Sequence, residues 1–224
     1  MRRFLAVFLC LMLMGVPPVR SESPRYVALT FDDGPSGRFT RRLLTGLQER
    51  DAKATFLLCG YRLEIYPDLA QRMVEEGHEI GLHGYSHKDM SKLSRRELTK
   101  ELKDTLALLP QGCQPAFLRP PGGSESPLVA EISEKMGLSL LLWSVDPRDW
   151  AVHDAAVVET AVISQVRDGD VILLHDLTDS SVDAALSIVD KLQEEGFQFV
   201  TVSELAQIRG TTLQPGKTYR HFRG

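Results

Sequence analysis

Short apolar, β-rich runs alternate with longer amphipathic stretches along most of this chain, and that alternation limits its fold more than any other feature. Candidate strands lie at 26–31, 54–58, 79–82, 116–118, 139–143, 171–174 and 197–200. Between most of them run helical patterns at 40–50, 66–76, 95–108, 127–136, 155–166 and 182–194. Gly77, Gly137 and Gly196 each close a helical pattern just before a strand, as C-terminal stop signals do. Ser94 and Glu97 have the spacing of a capping box. A βαβα order places parallel strands in one sheet with helices outside it. About seven such units suit an open doubly wound sheet or a barrel. A length of 224 residues, with no internal repeat or low-complexity linker, suits one domain.

The two ends read differently. Arg2 and Arg3 precede an apolar run at 4–16 that Pro17 and Pro18 break, the layout of an export signal. The run is shorter than the ~20 apolar residues a spanning helix needs. Residues 1–21 are therefore expected to send the chain to the cell envelope or medium, with membrane attachment only if the segment stays uncut. The tail at 211–224 has little apolar content and is expected to be disordered. A formal net charge of −4 and the lack of a long Lys/Arg run argue against a nucleic-acid partner. Cys59 ends one strand pattern and Cys113 precedes another, which puts them at opposite ends of a parallel sheet. That separation exceeds disulfide geometry, so two unpaired thiols are expected.

Polar residues gather where the strands end. In parallel α/β folds the carboxyl ends of the strands share one face, and that face hosts active sites. Asp32-Asp33-Gly34-Pro35 follows the first strand, His83 the third, with His87 four residues on. Arg119-Pro120-Pro121-Gly122-Gly123 follows the fourth, Asp146 and Asp149-Trp150 the fifth, and His175-Asp176 the sixth. Each piece has a plain structural explanation. Asp-Asp-Gly-Pro is turn chemistry, an isolated HxxxH is often coincidence, Arg119 can clamp a carboxylate, and a lone His is usually a satisfied core residue. The conjunction is what carries weight. Three of the six His residues stand on one rim, while His78, His153 and His221 match no motif.

A carboxylate and two imidazoles suit Zn²⁺ or a similar divalent ion, and three protein ligands leave a position open for water. A second carboxylate beside them can take a proton from that water, and a His across the site can protonate a leaving group. Metal-assisted hydrolysis of an amide or ester is the chemistry such a set can do.

Taken in order, these residues resemble the polysaccharide deacetylases of the NodB-homology type, carbohydrate esterase family four. Thr30-Phe31-Asp32-Asp33-Gly34-Pro35 is similar to the family's first motif and His83-Gly84-Tyr85-Ser86-His87 to its second. Arg119-Pro120-Pro121, Asp146-Pro147-Arg148-Asp149-Trp150 and Leu173-Leu174-His175 are similar to the third, fourth and fifth. The resemblance spans about 25–207. It implies an α/β fold, a distorted and incomplete (β/α) barrel with parallel strands, and a bound divalent metal, zinc first, with cobalt or another ion as alternatives. Asp33, His83 and His87 would hold the metal, Asp32 would be the base and His175 the acid. Arg119 would orient Asp32, and Asp149 would tune His175. Trp150 and Leu173 would line a pocket for the acetyl methyl, and the Gly122 N–H would meet the oxyanion. The implied substrate is an acetylated amino-sugar glycan, either peptidoglycan or a chitin-like N-acetylglucosamine polymer. O-acetyl ester cleavage on xylan or another acetylated glycan is the near alternative, and a non-catalytic glycan-binding relic the remote one. Two positions depart from the family pattern. Gly84 stands where Ser or Thr usually braces the histidine loop, and Gly122 where an aromatic commonly forms one wall of the groove.

Overall fold

The computed structural model describes residues 24–224, so the expected export segment at 1–21 lies outside the described residues. Strands β1 (Arg25–Asp32), β2 (Ala54–Leu58), β3 (Glu79–Leu82), β4 (Phe117–Leu118), β5 (Ser139–Leu141) and β6 (Val171–His175) are all parallel. They pair in the order β6-β1-β2-β3-β4-β5. Beyond β5, Val145 makes a single parallel bridge to Ile172 of β6. The sheet therefore curls until its edges meet at one point, the incomplete barrel that the family resemblance implied. β7 (Phe197–Phe199) pairs with the amino half of β1, and β8 (Thr218–Tyr219) pairs with β5. Strands buried on both faces need near-continuous apolar sequence. All of β2 and most of β1 and β6 are accordingly buried.

Eight helices cover the sheet among the described residues: α1 (Gly37–Glu49), α2 (Gly60–Leu63), α3 (Pro67–Glu75), α4 (Arg95–Leu106), α5 (Pro127–Lys135), α6 (Ala155–Ile163), α7 (Asp179–Glu194) and α8 (Val202–Ile208). None is long and apolar enough to cross a membrane. Each expected helix is present. The capping box at Ser94 is complete, its hydroxyl accepting from Glu97 N–H while the Glu97 carboxylate accepts from Ser94 N–H. Two helices were not anticipated. α2 is a single turn, too short to show a period, and α8 is brief but carries its own capping box at Thr201 and Glu204.

The tail corrects an expectation, because 211–224 is ordered rather than disordered. β8 lies in it, and His221 bridges antiparallel to Asp170. Tyr219 and Phe222 stack with ring centroids 5.5 Å apart and are buried in a cluster with Val171, Leu141 and Leu205. Two well-placed aromatics fix the segment even though its average composition is polar. Cys59, buried, and Cys113, half-buried, are both free, as expected.

Candidate active site

The site stands on the carboxyl rim, where β1, β3, β4 and β6 stop. β1 delivers Asp32, and the next residue adopts a left-handed backbone, with φ +70° at Asp33. Successive strand residues point to opposite faces, so this turn is what brings both carboxylates to one side. Asp32 is buried, and its Oδ2 lies 3.7 Å from His83 Nε2. Asp33 Oδ1 lies 3.3 Å from His83 Nε2 and 3.0 Å from His87 Nε2.

His83 extends the β3 ladder, its N–H donating to the Leu58 carbonyl at 2.9 Å. Its Nδ1 is 2.7 Å from the Arg119 carbonyl oxygen. A carbonyl can only accept, so Nδ1 carries a proton and Nε2 is the ring nitrogen that faces Asp33. His87 reaches the same point from a loop rather than a helix, since Gly84 and His87 have φ +81° and +56°. The ligand atoms of Asp33, His83 and His87 all lie within 4.8 Å of one another. Asp33 Oδ1 is buried without a hydrogen-bond partner. A buried carboxylate oxygen facing ring nitrogens is costly unless a cation lies among them, so the residues fit a divalent ion. Burial alone would raise the Asp33 pKa. The two imidazoles more than reverse this and hold the carboxyl well below the usual carboxylate range. The His87 imidazole is raised in turn, chiefly by its contact with Asp33.

Arg119 is fully buried behind Asp32. Its Nη1 donates to Asp32 Oδ1 at 2.6 Å and to Thr30 Oγ1 at 2.8 Å. Nε and Nη2 donate to the carbonyls of Leu141 and Leu142, at 3.1 and 2.9 Å. One guanidinium thus ties the ends of β1 and β5 together and fixes the Asp32 carboxylate by one oxygen. The clamp reading and the orienting reading describe the same contact.

His175 is the Cα partner of Asp32 across the β1–β6 ladder. Asp149, almost fully buried, accepts twice from it: Oδ1 from Nδ1–H at 2.8 Å and Oδ2 from the backbone N–H at 2.8 Å. Burial would lower the His175 pKa, but Asp149, helped by the charges of Asp32 and Asp33, pushes it up to about 9. The ring is then a cation at neutral pH with Nδ1 occupied by Asp149.

A cleft of about 410 Å³ opens over this group. Asp32, Asp33, His83, His87, His175, Gly122, Trp150 and Leu173 line it, so eight of the ten expected residues face one space. Arg119 and Asp149 stand directly behind two of them. Gly122 sits at φ +63°, and a Cβ there would meet nothing closer than Ser124 Oγ at 3.9 Å, so the cleft is open on that side. Two lining residues, Trp143 and Asp146, had no role assigned from sequence. Asp146 accepts from Arg148 N–H at 2.8 Å and shapes the turn that carries Asp149. Trp143 lies where the fifth strand pattern ends, and position on the rim was the signal available.

Fold and site together define a class: a curled parallel α/β barrel with an Asp-His-His cluster fit for a cation and a neighbouring carboxylate and imidazole on its carboxyl rim. The chain belongs to the polysaccharide deacetylase family, whose model matches residues 20–141. That match ends before Asp149 and His175, but relatives extend it. The peptidoglycan-N-acetylmuramic acid deacetylase PdaC of Bacillus subtilis is 37% identical over 88% of this chain and 42% of its own length. The chain thus spans less than half of that relative. A peptidoglycan-N-acetylglucosamine deacetylase of Bacillus cereus is 35% identical over 84% of this chain and 91% of its own. Among solved structures, a family 4 acetyl xylan esterase from Clostridium thermocellum in complex with a cobalt ion superposes with a TM-score of 0.82. It is 34% identical over 88% of this chain and 98% of its own.

Proposed function

We propose that this chain is a metal-dependent deacetylase that removes N-acetyl groups from an amino-sugar polymer of the cell wall. The observation that carries this reading is that Asp32 and His175 line one cleft beside the Asp33, His83 and His87 cluster. A divalent ion held by those three residues supplies Lewis acidity, which lowers the pKa of water and polarises an acyl oxygen. Asp32 Oδ2, left free by Arg119, takes the proton from the attacking water as its oxygen bonds to the acyl carbon. The Gly122 N–H faces the oxygen that gains charge. His175 gives its Nε2 proton to the departing nitrogen as the C–N bond breaks, and Asp149 keeps the ring aligned and charged. Acetate and a free amine leave, the proton of the acetic acid and the one held by Asp32 pass to solvent, and His175 regains a proton from solvent. Leu173 and the two tryptophans offer an apolar wall to the acetyl methyl. The relatives' peptidoglycan substrates, together with the expected export segment at 1–21, support the wall polymer as target.

An O-acetyl esterase reading draws on the likeness to the xylan esterase and uses the same groups. A non-catalytic relic does not suit a chain that retains base, acid and all three ligands. The test is acetate release from peptidoglycan, N-acetylglucosamine oligomers and acetylated xylan, after chelation and after return of Zn²⁺ or Co²⁺, with Asp32→Asn alongside. Metal-restored release from the amino-sugar substrates, cut by about 10²–10⁴-fold in Asp32→Asn, is expected. Release from xylan alone establishes the esterase instead, and silence on all three with metal bound refutes catalysis.

A further inference from the structure

We propose that Glu101, on α4, is a positioning residue for the cation site: its carboxylate holds the loop between His83 and His87 in the shape that brings both imidazoles onto Asp33. This rests on the metal reading above.

The loop has little means of holding itself. It is not helical, it has left-handed backbone at Gly84 and His87, and residue 84 has no side chain to brace it. What grips it comes from outside. Glu101 Oε2 accepts from the N–H groups of Tyr85 and Ser86, at 2.8 and 2.7 Å, and Oε1 accepts from the Ser86 hydroxyl at 2.6 Å. From the other side, the N–H groups of Gly60 and Tyr61 donate to the carbonyls of Gly84 and Tyr85, each at 3.0 Å. Glu101 therefore supplies three of the five bonds, through a side chain only 12% exposed.

The helix that presents Glu101 is itself fixed to the site. α4 starts at the Ser94–Glu97 capping box. Leu98 and Leu102 pack in one cluster with Leu82 and Leu118, the residues just before His83 and Arg119. The register of α4 is thereby tied to the strand ends that carry the ligands. Side chains that orient ligands in this way typically matter 10–100-fold to metal affinity.

The geometry also says which replacements work. Two N–H groups converge on one oxygen, a task for an atom with two lone pairs. Gln can place its carbonyl oxygen there and turn its NH₂ to the Ser86 hydroxyl. Asp falls short by one methylene, about 1.5 Å. Ala supplies nothing.

The experiment measures Zn²⁺ affinity by chelator competition and the visible spectrum of the Co²⁺ form, using the full chain with Glu101→Gln, Glu101→Asp and Glu101→Ala. Melting temperatures are recorded alongside. Glu101→Gln should bind within about twofold of wild type. Glu101→Asp and Glu101→Ala should bind about 10–100-fold more weakly, with an altered Co²⁺ spectrum. A drop in melting temperature with affinity and spectrum unchanged overturns the proposal. Should Glu101→Ala fail to fold, Glu101→Asp against Glu101→Gln decides, and equal affinities overturn it. Wild-type protein that takes up neither ion overturns the metal reading and the brace together. Normal wild-type uptake with no difference among the variants overturns the brace alone.

Discussion

Replacing Asp149 by Asn should move the basic limb of the pH–rate profile, and by an amount the structure sets. Asp149 gives one oxygen to each of two donors on His175 and supplies the main pull that lifts the imidazole to about 9 against its own burial. Asn lacks the charge and has one acceptor oxygen for those two donors. The ring then falls back towards its ordinary value of 6.5, a drop of roughly two pH units, or about 3 kcal/mol. The sign follows from the role. His175 donates only when protonated, so activity is lost as pH rises through its pKa, and in the variant that loss comes earlier. With the wild-type limb near 9, the protonated fraction at pH 8 falls about tenfold in the variant, while at pH 6 it hardly changes. A bound dication offsets the pull of Asp32 and Asp33 and lowers both limbs together, so their separation is the quantity to read. The assay is kcat/KM for acetate release from N-acetylglucosamine oligomers between pH 5 and 10, with metal saturating. A variant profile that lies below wild type by a constant factor, its basic limb unmoved, would show that Asp149 does not set the protonation of His175.

Two further outcomes concern the scaffold. Arg119→Ala leaves Asp32 buried without its counter-charge and should cost about 3–5 kcal/mol in denaturant unfolding, a large share of the ~5–15 kcal/mol typical of a domain. A loss under about 1 kcal/mol would contradict the clamp. Deleting 211–224 uncovers the partners of Tyr219 and Phe222, each worth about 1.5–3 kcal/mol. The melting temperature should fall by on the order of 10 °C, and an unchanged melt would mean the tail adds no stability.

The rim was legible in the sequence because parallel strands are written as unbroken apolar runs, and the polar residue that ends each run marks where the sheet meets solvent. Asp32, His83, Arg119 and His175 each stand at such a boundary. Features that depend on distant partners were not legible. β8 is two residues long, below the length at which alternation can be seen, and it is fixed by aromatic contacts with Val171 and Leu205. A turn after β1 is legible in Asp32-Asp33-Gly34-Pro35, but which of these residues takes the left-handed backbone, Asp33, is seen only in the folded chain. Glu101 reads as an ordinary charged position on an amphipathic helix, and only the folded chain shows the histidine loop against it. The apolar run at 139–143 takes Trp143 into a strand, whereas β5 stops at Leu141 and Trp143 lines the cleft.

The pairing of Asp32 with His175 across β1 and β6 has a consequence for how such a protein can diversify. Neighbouring strands in a sheet stand about 4.8 Å apart, and residues in register present their side chains to the same face. The spacing of the two backbones is therefore held by ladder hydrogen bonds that no side-chain substitution removes, while Arg119 and Asp149 fix where each side chain ends. The residues that bound the opening, Gly122, Trp143 and Trp150, belong to the segments between strands. Mutation can widen, narrow or re-polarise the entrance while the interval between the two reacting groups stays constant. Replacing those three residues by their counterparts in homologues, with Asp149 kept, should accordingly exchange glycan preference and leave the shape of the pH–rate profile with the parent barrel.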